Sequence, residues 1–107
     1  MKEVLIQYMK RFSDLSEPEL EKLTVDVPVA AFNKGTILLH QGDVPDKCYF
    51  VLKGCVRQYA VNQNGVENTV NFFTEEQSVT IFHQHGADTG SKYFLSCLED
   101  CMLVVGD

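Results

Sequence analysis

The chain has 107 residues, 45% of them hydrophobic, and carries nine Lys and Arg against fifteen Asp and Glu for a formal net charge of -6. This length holds one domain with a single core and leaves no room for a second, and the acidic balance excludes unaided binding of this segment to a nucleic-acid backbone. No apolar run is long enough to span a membrane, and Glu3, Lys10 and Arg11 around Val4 to Met9 leave no signal-peptide core. A soluble cytoplasmic protein is therefore expected.

Val4, Leu5, Tyr8, Met9 and Phe12 recur at helical spacing with Lys2, Glu3, Lys10 and Arg11 largely opposite, which predicts an amphipathic opening helix. Ser16-Glu17-Pro18-Glu19 has the pattern of a capping box and starts a second helix running to about Leu23, with Leu15, Leu20 and Leu23 pinning it to the rest of the domain. From Val25 the period falls to two. Val25, Val27, Val29 and Ala31 then share one side of a strand that Pro28 confines to a sheet edge or a bulge.

Seven further strands are predicted at about 36–40, 48–53, 55–62, 66–73, 78–82, 92–97 and 101–105, since short apolar runs alternate there with turn residues. Gln63-Asn64-Gly65 is a hairpin signal, and Gly35, Gly42 and Gly54 mark corners that need a positive φ or a close backbone approach. Eight short strands with tight corners describe a small antiparallel barrel. No solenoid repeat or low-complexity stretch interrupts it.

Cys48, Cys55, Cys97 and Cys101 lie inside or beside the apolar strands, and without a secretory signal they read as buried reduced thiols. The spacing of Cys97 and Cys101 has no second pair to complete a zinc site. A redox switch through these two would require exposure and a lowered pKa.

Lys34-Gly35-Thr36-Ile37-Leu38-Leu39-His40-Gln41-Gly42-Asp43, then Asp46-Lys47-Cys48-Tyr49-Phe50-Val51-Leu52-Lys53-Gly54, and late in the chain Cys97-Leu98-Glu99-Asp100-Cys101 resemble the cyclic-nucleotide-binding β-roll of Crp/Fnr-type transcription regulators. The similarity runs from about Leu15 to Val105. It implies a mainly β fold, a double-stranded β-helix or jelly roll, with residues 1–24 as a helical lead-in and 25–107 as the roll. It also implies an effector-sensing role in a homodimeric regulator. DNA would be contacted only through a C-terminal dimerisation helix and helix-turn-helix module that this sequence does not include. A ligand-free dimerisation scaffold is the alternative within the same family.

Nucleotide-binding members carry Phe-Gly-Glu on a short helix followed by Arg-Ser/Thr-Ala, the Glu holding the ribose and the Arg the cyclic phosphate. Counting back from Cys97-Leu98-Glu99-Asp100 places that Arg position at Ser91 and the next two at Lys92 and Tyr93, while Phe73-Thr74-Glu75-Glu76-Gln77-Ser78-Val79 lacks the glycine. A buried phosphate without a charge-assisted partner costs several kcal/mol, roughly, in lost solvation. The resemblance thus implies a roll that does not bind cAMP. Its pocket walls would come from Phe73, Gln77 and Ser78 on one side and Ser91, Lys92 and Tyr93 on the other, around an unknown small effector such as an aromatic or carboxylate compound, with no cofactor. Iron-sulfur members place cysteines ahead of the roll, and the first 47 residues here have none.

Cupin metalloenzymes share the double-stranded β-helix, and His83-Gln84-His85 with Asp88 offers two imidazoles on one strand face plus a carboxylate, a set suited to an open iron site. The chain has no later His and no glycine-led spacing before the pair, so a polar loop over residues 83–91 is the favoured reading. Neither a P-loop nor a Gly-x-Ser-x-Gly nucleophile is present, and no enzymatic activity is expected.

Overall fold

A computed structural model describes residues 2–79 and 90–106. Two helices, α1 (Lys2–Lys10) and α2 (Glu17–Thr24), lead into eight strands: β1 (Val29–Phe32), β2 (Ile37–Leu39), β3 (Cys48–Lys53), β4 (Val56–Val61), β5 (Glu67–Phe73), β6 (Ser78–Val79), β7 (Phe94–Cys97) and β8 (Cys101–Gly106). They form two antiparallel four-stranded sheets, in the orders β1-β8-β3-β6 and β2-β7-β4-β5. Every pair of successive strands except the β4–β5 hairpin changes sheet, so the chain closes a sandwich whose inner faces share one core. This is the predicted jelly roll.

The core follows from strand parity. Val51, Val56, Leu95, Cys97, Cys101 and Leu103 are all at most 2% exposed and come from both sheets, each alternating with more exposed neighbours along its strand. At Gly54, between β3 and β4, φ is +106, and an added Cβ would meet Cys101 Sγ at 2.6 Å and the Asp100 carbonyl at 2.8 Å. A side chain there is barred both by backbone conformation and by the β7–β8 turn packed against it. Gly35 and Gly42 also have positive φ, as their corners required. The 62–66 hairpin turns differently from a two-residue Asn-Gly loop. Only Gly65 is left-handed, Gly65 donates to the Asn62 carbonyl at 3.0 Å and Asn62 to that of Val66 at 3.0 Å, which is a three-residue loop closed by a glycine bulge.

Three details depart from the sequence-based expectations. The strand expected from Val25 starts only at Val29, because Val25 still has helical dihedrals (φ -57, ψ -36) as the C-cap of α2. Its inward parity is also reversed: Phe32 packs on the core while Ala31 is exposed. β1 nevertheless is a sheet edge, as Pro28 demanded. In α1 the buried residues are Leu5 and Ile6, and Phe12 lies past the helix end, exposed and 5.1 Å from the Tyr8 ring. In α2 Leu20 and Thr24 are sealed, while Leu23, and Leu15 ahead of the helix, stay exposed.

The helices are held as a unit. The Glu19 carboxylate accepts the Ser16 N–H at 3.2 Å and the Ser16 hydroxyl at 2.8 Å, which holds the Glu19 carboxyl below the usual range. Lys2 Nζ donates to the carbonyls of Thr24 and Val27, a cation at the C-terminal end of α2. Tyr8 meets Phe50 of β3 at 5.3 Å, seating α1 on the roll.

Candidate functional site

The inner face of the β2-β7-β4-β5 sheet is a series of cross-strand rows. Val56 lies opposite Cys97 and Phe73; Gln58 lies opposite Leu95 and Asn71; Ala60 lies opposite Asn68. The first row closes one end of the roll with wholly apolar groups. All four cysteines are free, and burial, reinforced by the adjacent Cys101 thiol, pushes the Cys97 thiol up to about 12. Burial likewise raises Cys55, with Glu99 and then Cys101 adding to it. Cys97 and Cys101 are each 2% exposed and pack the core, so they lack the exposure that a redox switch would require.

The turn between β5 and β6 takes part in the frame of the roll. Glu76 donates its N–H to the Val51 carbonyl at 2.7 Å, and Val51 donates to Gln77 at 2.9 Å. Glu76 has φ 70, the one described non-glycine residue in left-handed conformation, and its carboxylate pairs with Arg11 just past α1. Glu75 accepts the Gly54 N–H at 3.2 Å. Gln77 folds its amide back to accept the Thr74 N–H at 2.7 Å. Both glutamates therefore have partners in the frame.

On the other side, Ser91 is fixed by the β2–β3 corner. Gly42 donates to the Ser91 carbonyl at 2.8 Å and Ser91 to that of Asp43 at 2.7 Å. Gly90 approaches Gly42 so closely that any Cβ would overlap the Gly42 carbonyl. The Ser91 hydroxyl is used locally, accepting the Tyr93 N–H at 3.0 Å and donating to the Tyr93 carbonyl at 2.8 Å. Lys92 is exposed and Tyr93 half-buried.

The six residues predicted as pocket walls are thus distributed as follows. Ser91, Lys92 and Tyr93 stay together ahead of β7. Phe73 is 6% exposed in the closed row beside Val56, whereas Tyr93 lies beyond the Tyr59–Phe94 pair, roughly 10 Å or more further along the strands at about 3.3 Å per residue. Ser78 is exposed opposite Phe50, and its neighbour Val79 takes the inward position opposite Tyr49. Sequence reasoning missed Gln58 and Asn71. The available signal was a glutamine at an inward parity position, two residues after Val56.

The charges of this sheet lie on its outer face. Arg57 donates to Thr69 Oγ1 and pairs with Glu67, both at 2.8 Å, and its guanidinium covers the Tyr59 ring at 4.1 Å, which in turn stacks on Phe94 at 5.1 Å and 12°. The sequence holds two arginines, Arg11 and Arg57, and both are committed to carboxylates outside the roll. His83, His85 and Asp88 lie outside the described residues. Among the described residues no group of three His, Cys, Asp or Glu side chains is arranged to hold a metal ion, and no helix is long and apolar enough to cross a membrane.

Paired antiparallel sheets closed by glycine corners define a β-roll. The cyclic nucleotide-binding domain family matches residues 29–105, and the chain belongs to that family. Its structural neighbours include Crp/Fnr-type regulators. The sensor domain of the transcriptional regulator DNR from Pseudomonas aeruginosa superposes with a TM-score of 0.66 at 19% identity, over 98% of this chain and 72% of that one. The catabolite activator protein of Thermus thermophilus gives 0.60 at 22% identity over 88% of this chain and 44% of its own. An EAL enzyme, Bd1971, gives 0.61 at 21% identity over 75% and 70%. The chain thus spans less than half of the Thermus activator. No curated protein is significantly similar to it in sequence.

Proposed function

We propose that this chain is the effector-sensing domain of a Crp/Fnr-like transcription regulator whose roll does not take a cyclic nucleotide. The observation that carries this reading is the fate of the arginines. Counting along the family's motif assigns the phosphate-holding position to Ser91, whose hydroxyl is bonded to Tyr93, and both guanidiniums of the chain are paired on the outside. A cyclic phosphate entering the roll would lose its hydration without the bidentate fork that offsets that loss, and Lys92, being exposed, offers only a solvated point charge.

In this reading the effector enters at the end of the roll flanked by Ser91, Lys92 and Tyr93, with Phe73 deeper at the apolar floor, while Gln77, its amide bonded to Thr74, and the exposed Ser78 stay outside the contact. The domain catalyses nothing, and DNA is contacted through a separate C-terminal module of a homodimeric parent. Effector occupancy shifts that dimer between states that present their recognition helices differently. Calorimetric titration with cAMP and cGMP at micromolar concentrations is the direct test: no saturable heat is expected, and saturable binding of either nucleotide overturns the reading.

A further inference from the structure

Resting on that effector-sensing reading, we infer that the roll reads an uncharged, planar effector through a carboxamide pair, Gln58 and Asn71. Gln58 is 8% exposed and sits on the inner face, in line with Val56 and Ala60 and opposite Leu95 and Asn71. A primary amide has an oxygen that accepts and two N–H that donate, and leaving such a group unmet in an interior costs about 1–3 kcal/mol. Among the described residues the Gln58 side chain makes no hydrogen bond. Yet no side-chain nitrogen or oxygen there is both sealed and unpartnered, so the Gln58 amide remains reachable from the roll's interior.

Asn71 is brought beside it by a bulge. The pairing steps from Gln58 opposite Asn71 to Tyr59 opposite Thr69, leaving Val70 as the extra residue of β5, a distortion that re-aims neighbouring side chains. The Asn71 Oδ1 accepts the Phe72 N–H at 2.9 Å, which fixes the amide and leaves its NH2 to donate.

The chemistry of the occupant follows from the rows. Val56, Phe73 and Leu95 supply an apolar floor, Gln58 and Asn71 supply donors and an acceptor, and none of the three inner rows contains a charged side chain. Among the described residues these rows offer an anion no cation, and Lys92, exposed ahead of β7, gives only a solvated charge. A flat neutral molecule with an N–H donor beside an acceptor, such as an aromatic carboxamide, a lactam or a nucleobase without phosphate, pairs with a glutamine amide in two parallel hydrogen bonds.

The test uses pairs of probes matched in shape and differing in charge: nicotinamide against nicotinate, and adenosine against AMP, titrated by calorimetry and thermal shift into the wild type, Gln58→Leu and Asn71→Leu. At least one neutral probe is expected to bind saturably, about tenfold or more tighter than its anionic twin, and Gln58→Leu to weaken it by about tenfold or more while melting at or above the wild-type temperature. Asn71→Leu, on an exposed edge strand, decides the matter should Gln58→Leu fail to fold. The inference is overturned if neither neutral probe binds, if an anionic twin binds as well as its neutral partner, or if the variants bind like wild type. Saturable binding of AMP or nicotinate that ignores both substitutions would sink the carboxamide pair yet keep the effector-sensing reading. Saturable binding of cAMP would sink the reading of a roll closed to cyclic nucleotides.

Discussion

The two ends of this roll are built on the same strands under opposite rules. At the closed end Val56, Phe73 and Cys97 form a row with nothing polar in it, backed by Leu103 at 0% exposure. Two residues along β4 the row becomes Leu95, Gln58 and Asn71, and the interior turns from filler to hydrogen-bonding surface. Domains that bind small molecules commonly put stability in one place and unsatisfied polarity in another, because a group kept free for a ligand contributes nothing to folding until the ligand arrives.

The sharpest way to break this comparison is to hollow the closed end. Leu103→Ala should cost about 2–5 kcal/mol in urea denaturation, against about 0.5 kcal/mol or less for Leu98→Ala on the exposed turn. Similar midpoints for the two would show that stability does not reside where the packing places it.

A smaller effect sharpens the same contrast through pH. The Cys97 thiol has its pKa raised from 9.0 to about 12 in the folded chain, so the folded state holds the proton longer than the unfolded one. Its stabilising contribution is complete below about pH 9 and is lost as pH rises toward 12, at a limiting slope of about 1.4 kcal/mol per pH unit. Melting curves of wild type and Cys97→Ala from pH 8 to 11 should converge with rising pH, and parallel curves would show that the closed end is not dry.

The smallest effect concerns the strained turn. Glu76→Gly relieves a left-handed residue but gives up the exposed Arg11 pair, whereas Glu76→Ala gives up the pair and keeps the strain. The glycine variant should be more stable than the alanine variant by about 1 kcal/mol in thermal melts. Equal melting temperatures would mean the turn relaxes instead of holding φ 70.

All eight strands were legible in the sequence because apolar alternation and glycine corners are local signals, and the capping box fixed the start of α2 at the expected residue. The phase of β1 was not legible. A helix that runs on through Val25 consumes residues that sequence alone assigns to the strand, and this reverses the alternation that follows. The candidate site was less legible. Ser91 was assigned by counting along a motif, whereas the pairing of Gln58 with Asn71 depends on the β4–β5 register and on one bulged residue, Val70, which no single strand reveals. Phe73 was assigned to the pocket from its place in the motif, yet the register draws it into the closed row.

Glu76 belongs to two assemblies at once, its amide tethered to the middle of β3 and its carboxylate to the residue that follows α1. The turn thus joins the middle of β3 to the end of the opening helix, the second tie being an exposed ion pair of about 0–1 kcal/mol, light enough to break without disturbing the first.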